Sequence, residues 1–197
     1  MTGLGWMYDS DLPLLSLTFA RDLTARQLLE RMGADQATVA ERDQETFHDD
    51  FGEILYDDDA HVVSAGRYGR WAWVWEHASW LCVDDDDLVS DVSTGTAALV
   101  LHANEKPMVE FRYAEDGQLV TAINTVLSLA PKDRTGNDPH RFDPQLFALG
   151  ADPDRDETGP LGLRGLFYRL AETLGMGIPS DLYGEHTLSA RLRSRPY

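Results

Sequence analysis

Apolar and polar residues alternate from Leu14 to Ala20, with Leu15, Leu17 and Phe19 on one side and Ser16 and Thr18 on the other. That period of two predicts a half-buried strand. The period then changes. Ala25, Leu28, Leu29 and Met32 follow the i, i+3, i+4, i+7 spacing of an amphipathic helix. Thr24 and Gln27 are placed for a capping box, Leu23 and Leu28 for a hydrophobic staple, and Gly33 for the left-handed C′ position. Two apolar runs, His61-Val-Val-Ser-Ala and Trp71-Ala-Trp-Val-Trp-Glu-His77, flank the turn Arg67-Tyr-Gly-Arg and predict an antiparallel pair. Thr96 to His102 is a further β-type run. In the next hairpin Val109, Phe111 and Tyr113 alternate with Glu110 and Arg112, Asp116-Gly117 make the turn, and Leu119 to Ile123 return.

Helical signals occupy the gaps and the C-terminal third. Asp84 to Asp87 precede Leu88, Val89 and Val92, with Gly95 beyond, which fits a short helix with acids at its positive end. Pro131 to Pro139 reads as a polar connection. Asp143-Pro144 reads as N-cap and N1 of a helix through Leu146, Phe147 and Leu149, closed by Gly150. Leu163, Leu166, Phe167, Leu170, Ala171 and Leu174 keep one stripe of a last helix, ended by Gly175 and Pro179. Arg191, Arg193 and Arg195 are expected in a solvated tail. Residues 36–59 read as an acidic, partly helical surface segment, mobility left open, because residues 41–59 hold nine acids and a single Arg. Strands and helices are largely segregated along the chain. The expected fold is α+β: a single domain over 1–197 with a mostly antiparallel sheet of about five to six strands packed against a few helices.

Composition narrows the function classes. The chain has 197 residues, 43% of them hydrophobic, enough to bury a core. Its 34 Asp and Glu against 17 Lys and Arg give a net charge of −17, so neither a nucleic acid nor an anionic membrane is the expected partner. One cysteine, Cys82, excludes an intrachain disulfide framework and a CxxC zinc site. The first basic residue is Arg21, and no apolar run approaches the ~18 residues of a spanning helix. A cytoplasmic location is expected.

Several segments together resemble an uncharacterised bacterial family of small, acidic, soluble proteins classed as a domain of unknown function. They are Leu17-Thr-Phe-Ala-Arg-Asp-Leu-Thr24, Leu28-Leu-Glu-Arg-Met-Gly33, Trp71 with Glu76, Val92-Ser-Thr-Gly-Thr96, Phe111-Arg-Tyr-Ala-Glu-Asp-Gly117 and Leu170-Ala-Glu-Thr-Leu-Gly175. The resemblance covers most of the chain except residues 36–59. Its motifs are caps, a hairpin and a tryptophan strand, so it supports the element order and carries over no catalytic residue.

Candidate chemistry is sparse. Trp71, Trp73 and Trp75 share one face of a strand and either stack on a ligand or form core, and core is the expectation. Glu76 and His77 are adjacent on that strand and point to opposite faces, a poor arrangement for joint acid–base work. The six histidines form no short ligand pair, Asp152-Pro-Asp-Arg-Asp156 lacks the glycine and the final Glu of a calcium loop, and no nucleophile elbow or phosphate loop occurs. No metal or cofactor is expected. An acidic excess of 17 exceeds the magnitude of about 2 to 8 that suits a soluble small domain.

The leading expectation is a non-enzymatic cytosolic interaction protein that binds a basic partner protein, in concrete form an immunity protein or antitoxin-like inhibitor of a cationic toxin. Its contact residues would be Asp57, Asp58, Asp59, Asp84, Asp85, Asp86 and Asp87 with Trp80. One alternative is a small-molecule or catalytic pocket at Trp71, Trp73, Trp75, Glu76 and His77. Another is a DNA mimic with carboxylates in place of phosphates.

Overall fold

β1 (Leu14–Arg21) runs through the middle of the molecule, paired antiparallel on one side with β4 (Trp71–His77) and on the other with β5 (Ala97–Asn104). In the computed structural model, which describes residues 3–8, 14–57, 60–106, 108–126, 128–181 and 187–193, the strands form one antiparallel sheet. The remaining strands are β2 (Ala40–Arg42), β3 (His61–Tyr68), β6 (Val109–Glu115), β7 (Gln118–Asn124) and β8 (Thr187–Leu192). The eight strands lie in the order β2-β8-β3-β4-β1-β5-β6-β7, so the fold is α+β.

Helices cover both faces. The first face carries Leu15, Leu17 and Phe19, the three tryptophans of β4, Leu99, Leu101, Phe111 and Tyr113. It is roofed by α1 (Gly5–Tyr8), α6 (Asp143–Ala148) and α7 (Gly162–Thr173), with Met176 and Ile178 filling in behind. The second face is built from smaller side chains, among them Ala65, Ala72, Val74, Ala98, Val100 and Ala114. Over it lie α2 (Ala25–Arg31), α4 (Leu81–Asp84) and α5 (Leu88–Val92), which contribute Leu28, Leu29, Met32, Cys82, Val89 and Val92. This layering explains one departure from the sequence pattern. Ser16 and Thr18 do alternate with apolar residues, yet both are buried, because their side of β1 is covered too. The strand is enclosed on both faces.

Local punctuation follows the sequence closely at three places. Thr24 Oγ1 accepts the Gln27 N–H while Gln27 Oε1 accepts the Thr24 N–H, a complete capping box. Asp116 (φ 50°) and Gly117 (φ 80°) both take the left-handed conformation that a type I′ hairpin turn needs. Gly66 faces Trp73 across the β3–β4 pair, and a Cβ there would sit 2.3 Å from the indole, so this position admits no side chain.

Other elements differ from expectation. Asp143 does not cap α6: Phe142 is the N-cap residue, and Asp143 turns inward to the buried Arg134 (2.6 Å) and to His140 (2.7 Å). The expected Arg tail is in part the strand β8, inserted between β2 and β3 with Ala190 and Leu192 buried; Arg195 lies outside the described residues. The acidic segment contains β2 and α3 (Gln44–Phe51). Arg42 ties both to the sheet: it donates to Ser189 Oγ (3.1 Å), pairs with Asp50 (2.7 Å) and lies 4.6 Å over the Phe51 ring. Such a buried guanidinium needs every one of these acceptors. Among the described residues no helix is long and apolar enough to cross a membrane.

Candidate functional site

At one end of the second face a row of polar side chains crosses five strands. Glu76, Ser16, His102, Glu110 and Asn124 are successive cross-strand partners on β4, β1, β5, β6 and β7. Each is held. Glu76, fully enclosed, accepts from Ser79 Oγ (2.8 Å), the Leu81 N–H (2.7 Å) and the Cys82 N–H (3.0 Å). Burial pushes its carboxyl above the usual range, while hydrogen bonds from Ser79, Cys82 and Leu81 pull the other way. The Ser79 hydroxyl spends its proton on Glu76, so its 2.8 Å contact with His61 Nδ1 is a donation from the imidazole. Glu76 thereby fixes the first turn of α4 and the residue before it, Trp80.

Ser16 and His102 obey the same proton count. Ser16 Oγ donates to the Ser79 carbonyl (2.8 Å), so at 3.0 Å it accepts from His102 Nδ1. His102 is then the Nδ1–H tautomer, with a lone pair on Nε2. Burial lowers its pKa, a tendency that Asp84 opposes and Arg112 assists. Farther along, Glu110 accepts from Asn124 Nδ2 (3.0 Å) and pairs with Arg112 (2.8 Å). Arg112 also donates to the Val83 carbonyl (3.1 Å) and reaches Asp86 (3.1 Å). The sheet in this way clamps the α4–α5 elbow from below.

The row opens into a cleft of about 490 Å³ between that elbow and the β5–β6 connection. Trp80, Val83 and Asp84 form one wall; Asn104, Glu105 and Lys106 form the other; His102 and Glu110 lie between. His102 is only 3% exposed, whereas Trp80 is 48% exposed, unusual for so large an apolar ring. Three carboxylates line the cleft against the single Lys106 ammonium. Asn104 Oδ1 is buried with no hydrogen-bond partner among the described residues.

The expected contact residues are distributed around this cleft unevenly. Trp80 and Asp84 line it. Asp85 Oδ1 accepts the Asp87 N–H (3.0 Å), and Asp86 pairs with Arg112, so these two bind the elbow together. Asp86 and Asp87 are exposed on its outer side. Asp57 precedes β3 at the same end of the sheet, while Asp58 and Asp59 lie outside the described residues. The alternative set is split by the sheet. Trp71, Trp73 and Trp75 are at most 5% exposed beneath the first-face helices. His77 shares that face, with its Nε2 2.8 Å from Ser64 Oγ and its ring 4.7 Å from Trp75, beside a dent of only about 30 Å³. A groove of about 410 Å³ touches the edge of Trp73 beside Gly66. Glu76 is on the other face, behind the cleft.

His102, Asn104, Glu105 and Glu110 were not singled out from sequence. The cross-strand register alone joins them to residues 14 to 16 and 80 to 84, and no local motif encodes it. Cys82 offers no reactivity: burial and the neighbouring Glu76 carboxylate push its thiol well above the usual range. Among the described residues no group of three His, Cys, Asp or Glu is placed to hold a metal ion. No curated protein and no solved structure matches the chain. Residues 12–165 match DUF6461, a family of unknown function, and the chain belongs to that family.

Proposed function

We propose that this chain is a non-enzymatic interaction protein of the cytosol that docks a basic protein against the acidic end of its sheet, in the manner of an immunity protein or antitoxin-like inhibitor. One observation carries the reading: a half-exposed tryptophan, Trp80, stands on the rim of a carboxylate-lined cleft, with Asp86 and Asp87 exposed on the same elbow. A rigid aromatic ring beside charge is the composition of an interface hot spot. A net charge of −17 steers a cationic partner towards it and raises the association rate. The polar row supports binding better than reaction, since Ser16 is enclosed and hydrogen-bonded and the Cys82 thiol is held protonated.

Affinity capture from the native cytosol, identification of the captured protein and a salt titration of the purified pair test this reading. The expected partner is basic, and its affinity falls at least tenfold between 50 and 500 mM salt. The triple variant Asp84→Lys, Asp86→Lys, Asp87→Lys should weaken capture by a similar factor. An acidic or neutral partner, or binding indifferent to salt, overturns the proposal.

A further inference from the structure

The buried polar atoms that meet the cleft without a partner among the described residues are acceptors, while the one donor cation on its wall, Lys106, is exposed to solvent. His102 Nε2 has its lone pair, because Nδ1 carries the proton given to Ser16, and no described residue bonds to it. The residue is 97% buried by area, yet it lines the cleft. Asn104 Oδ1 is a second acceptor without a partner among the described residues. Asp84 and Glu105 add exposed carboxylates. Unsatisfied acceptors beside negative charge call for a cation that brings several N–H donors.

We infer that the cleft is a socket for one arginine side chain of the partner, its guanidinium lying on Trp80 and donating to His102 Nε2 and Asn104 Oδ1, with Asp84 and Glu105 balancing the charge. This rests on the docking reading above and names its central contact. His102 and Asn104 are two apart on β5 and share one face, which places their backbones roughly 7 Å from each other. A guanidinium offers five donors on three nitrogens in a plane, so it can serve two separated acceptors at once. An ammonium has all its donors on one nitrogen and serves such a pair less well. The indole adds a cation–π contact that favours the flat ion. A neutral imidazole is essential to this arrangement, because a protonated one would offer a donor where the ligand also has donors. The Ser16 hydrogen bond and the enclosure of the ring keep it neutral.

The test uses the full chain and three small probes: N-acetyl-arginine methylamide, the lysine equivalent, and the citrulline equivalent, which keeps the shape and removes the charge. Binding is read by NMR from the Trp80 indole and His102 ring resonances. The arginine probe should shift both saturably, the lysine probe at least fivefold more weakly, and the citrulline probe not at all. Trp80→Ala, at an exposed position, should weaken the arginine response at least fivefold while leaving the fold intact. An equal response to lysine or citrulline, a silent His102, or an unaffected Trp80→Ala overturns the socket. A silent cleft on a chain that still captures a basic partner in a salt-sensitive way overturns the socket alone. A responsive cleft on a chain that captures no basic partner supports the socket and overturns the wider docking reading.

Discussion

The two faces of the sheet solve the burial problem differently. The first is aromatic: Trp73 and Phe19 sit among Phe111, Phe142 and Phe167, and Phe111 meets Phe142 edge to face at 5.3 Å. The second is filled by alanines and valines and gives up one end to the row from Glu76 to Asn124. Large rings seal a surface with few polar atoms to satisfy, as where the Trp71 indole donates to the Leu174 carbonyl (3.0 Å), while small side chains leave room for helices to approach and for buried polar groups to be met by backbone donors. The proposed docking is placed on the second face because, among the described residues, charged and hydrogen-bonding groups there lead from the interior to an open cleft. Glu76 and His77 show the contrast in miniature. They are neighbours in sequence, one facing a network and the other facing Trp75 and Phe47.

The largest expected effect tests the aromatic side. Trp73→Ala removes a ring that is 1% exposed and should cost about 4 kcal/mol in denaturant unfolding. A loss under about 1 kcal/mol would mean that the first face is not a close-packed seal. Next comes Glu76→Ala, which strands the Leu81 and Cys82 amides and the Ser79 hydroxyl and should cost about 3 kcal/mol. Hydrogen exchange should show α4 opening first in this variant, since its first turn depends on that carboxylate.

Acid sensitivity separates the two neighbours by sign. Burial lowers the His77 pKa from 6.5 to about 4, so the unfolded chain binds the extra proton between those values. The His77 contribution is therefore fully present above about pH 6.5 and is lost as pH falls towards 4, a span of about 3 kcal/mol. Glu76 works oppositely: its raised pKa makes the folded chain hold the proton longer, so its contribution is greatest at low pH and fades as pH rises through its folded pKa. His77→Gln should flatten the acid limb of a stability–pH curve measured from pH 7 to 4.5, and an unchanged limb would remove His77 as its cause. The smallest effect is a gain. Ala78, just after His77, is exposed and has a left-handed φ of 52°, so Ala78→Gly should stabilise by about 0.5 kcal/mol.

Much of the fold was legible because its signals are local. Thr24 with Gln27, Asp116 with Gly117, and the alternation of Trp71, Trp73 and Trp75 each announce an element within a few residues. β8 is a weak signal: Leu188, Ala190 and Leu192 alternate as a strand requires, but Arg191 between them and Arg193 just beyond give the segment the polarity of a solvated tail. Enclosure of Ser16 and Thr18 could not be read, since whether a strand is covered once or twice depends on helices as far along the chain as Leu88–Val92. The candidate site was half visible. Trp80 and Asp84 stand out by composition, but His102, Asn104 and Glu110 gain meaning only from the pairing that sets His102 between Ser16 and Glu110.

The position of β8 has a consequence for how the chain assembles. β2 is attached to the sheet only through β8, and β3 uses β8 to cover its outer edge, with Val63 opposite Ala190. On an elongating nascent polypeptide, the strands from β3 to β7 can pair while that margin still has nothing beside it, and closing so distant a contact is slow. Until the last strand arrives, the backbone amides and carbonyls of β3 are an open template for a neighbouring molecule. A chain shortened before Thr187 should consequently aggregate instead of folding to a smaller sheet.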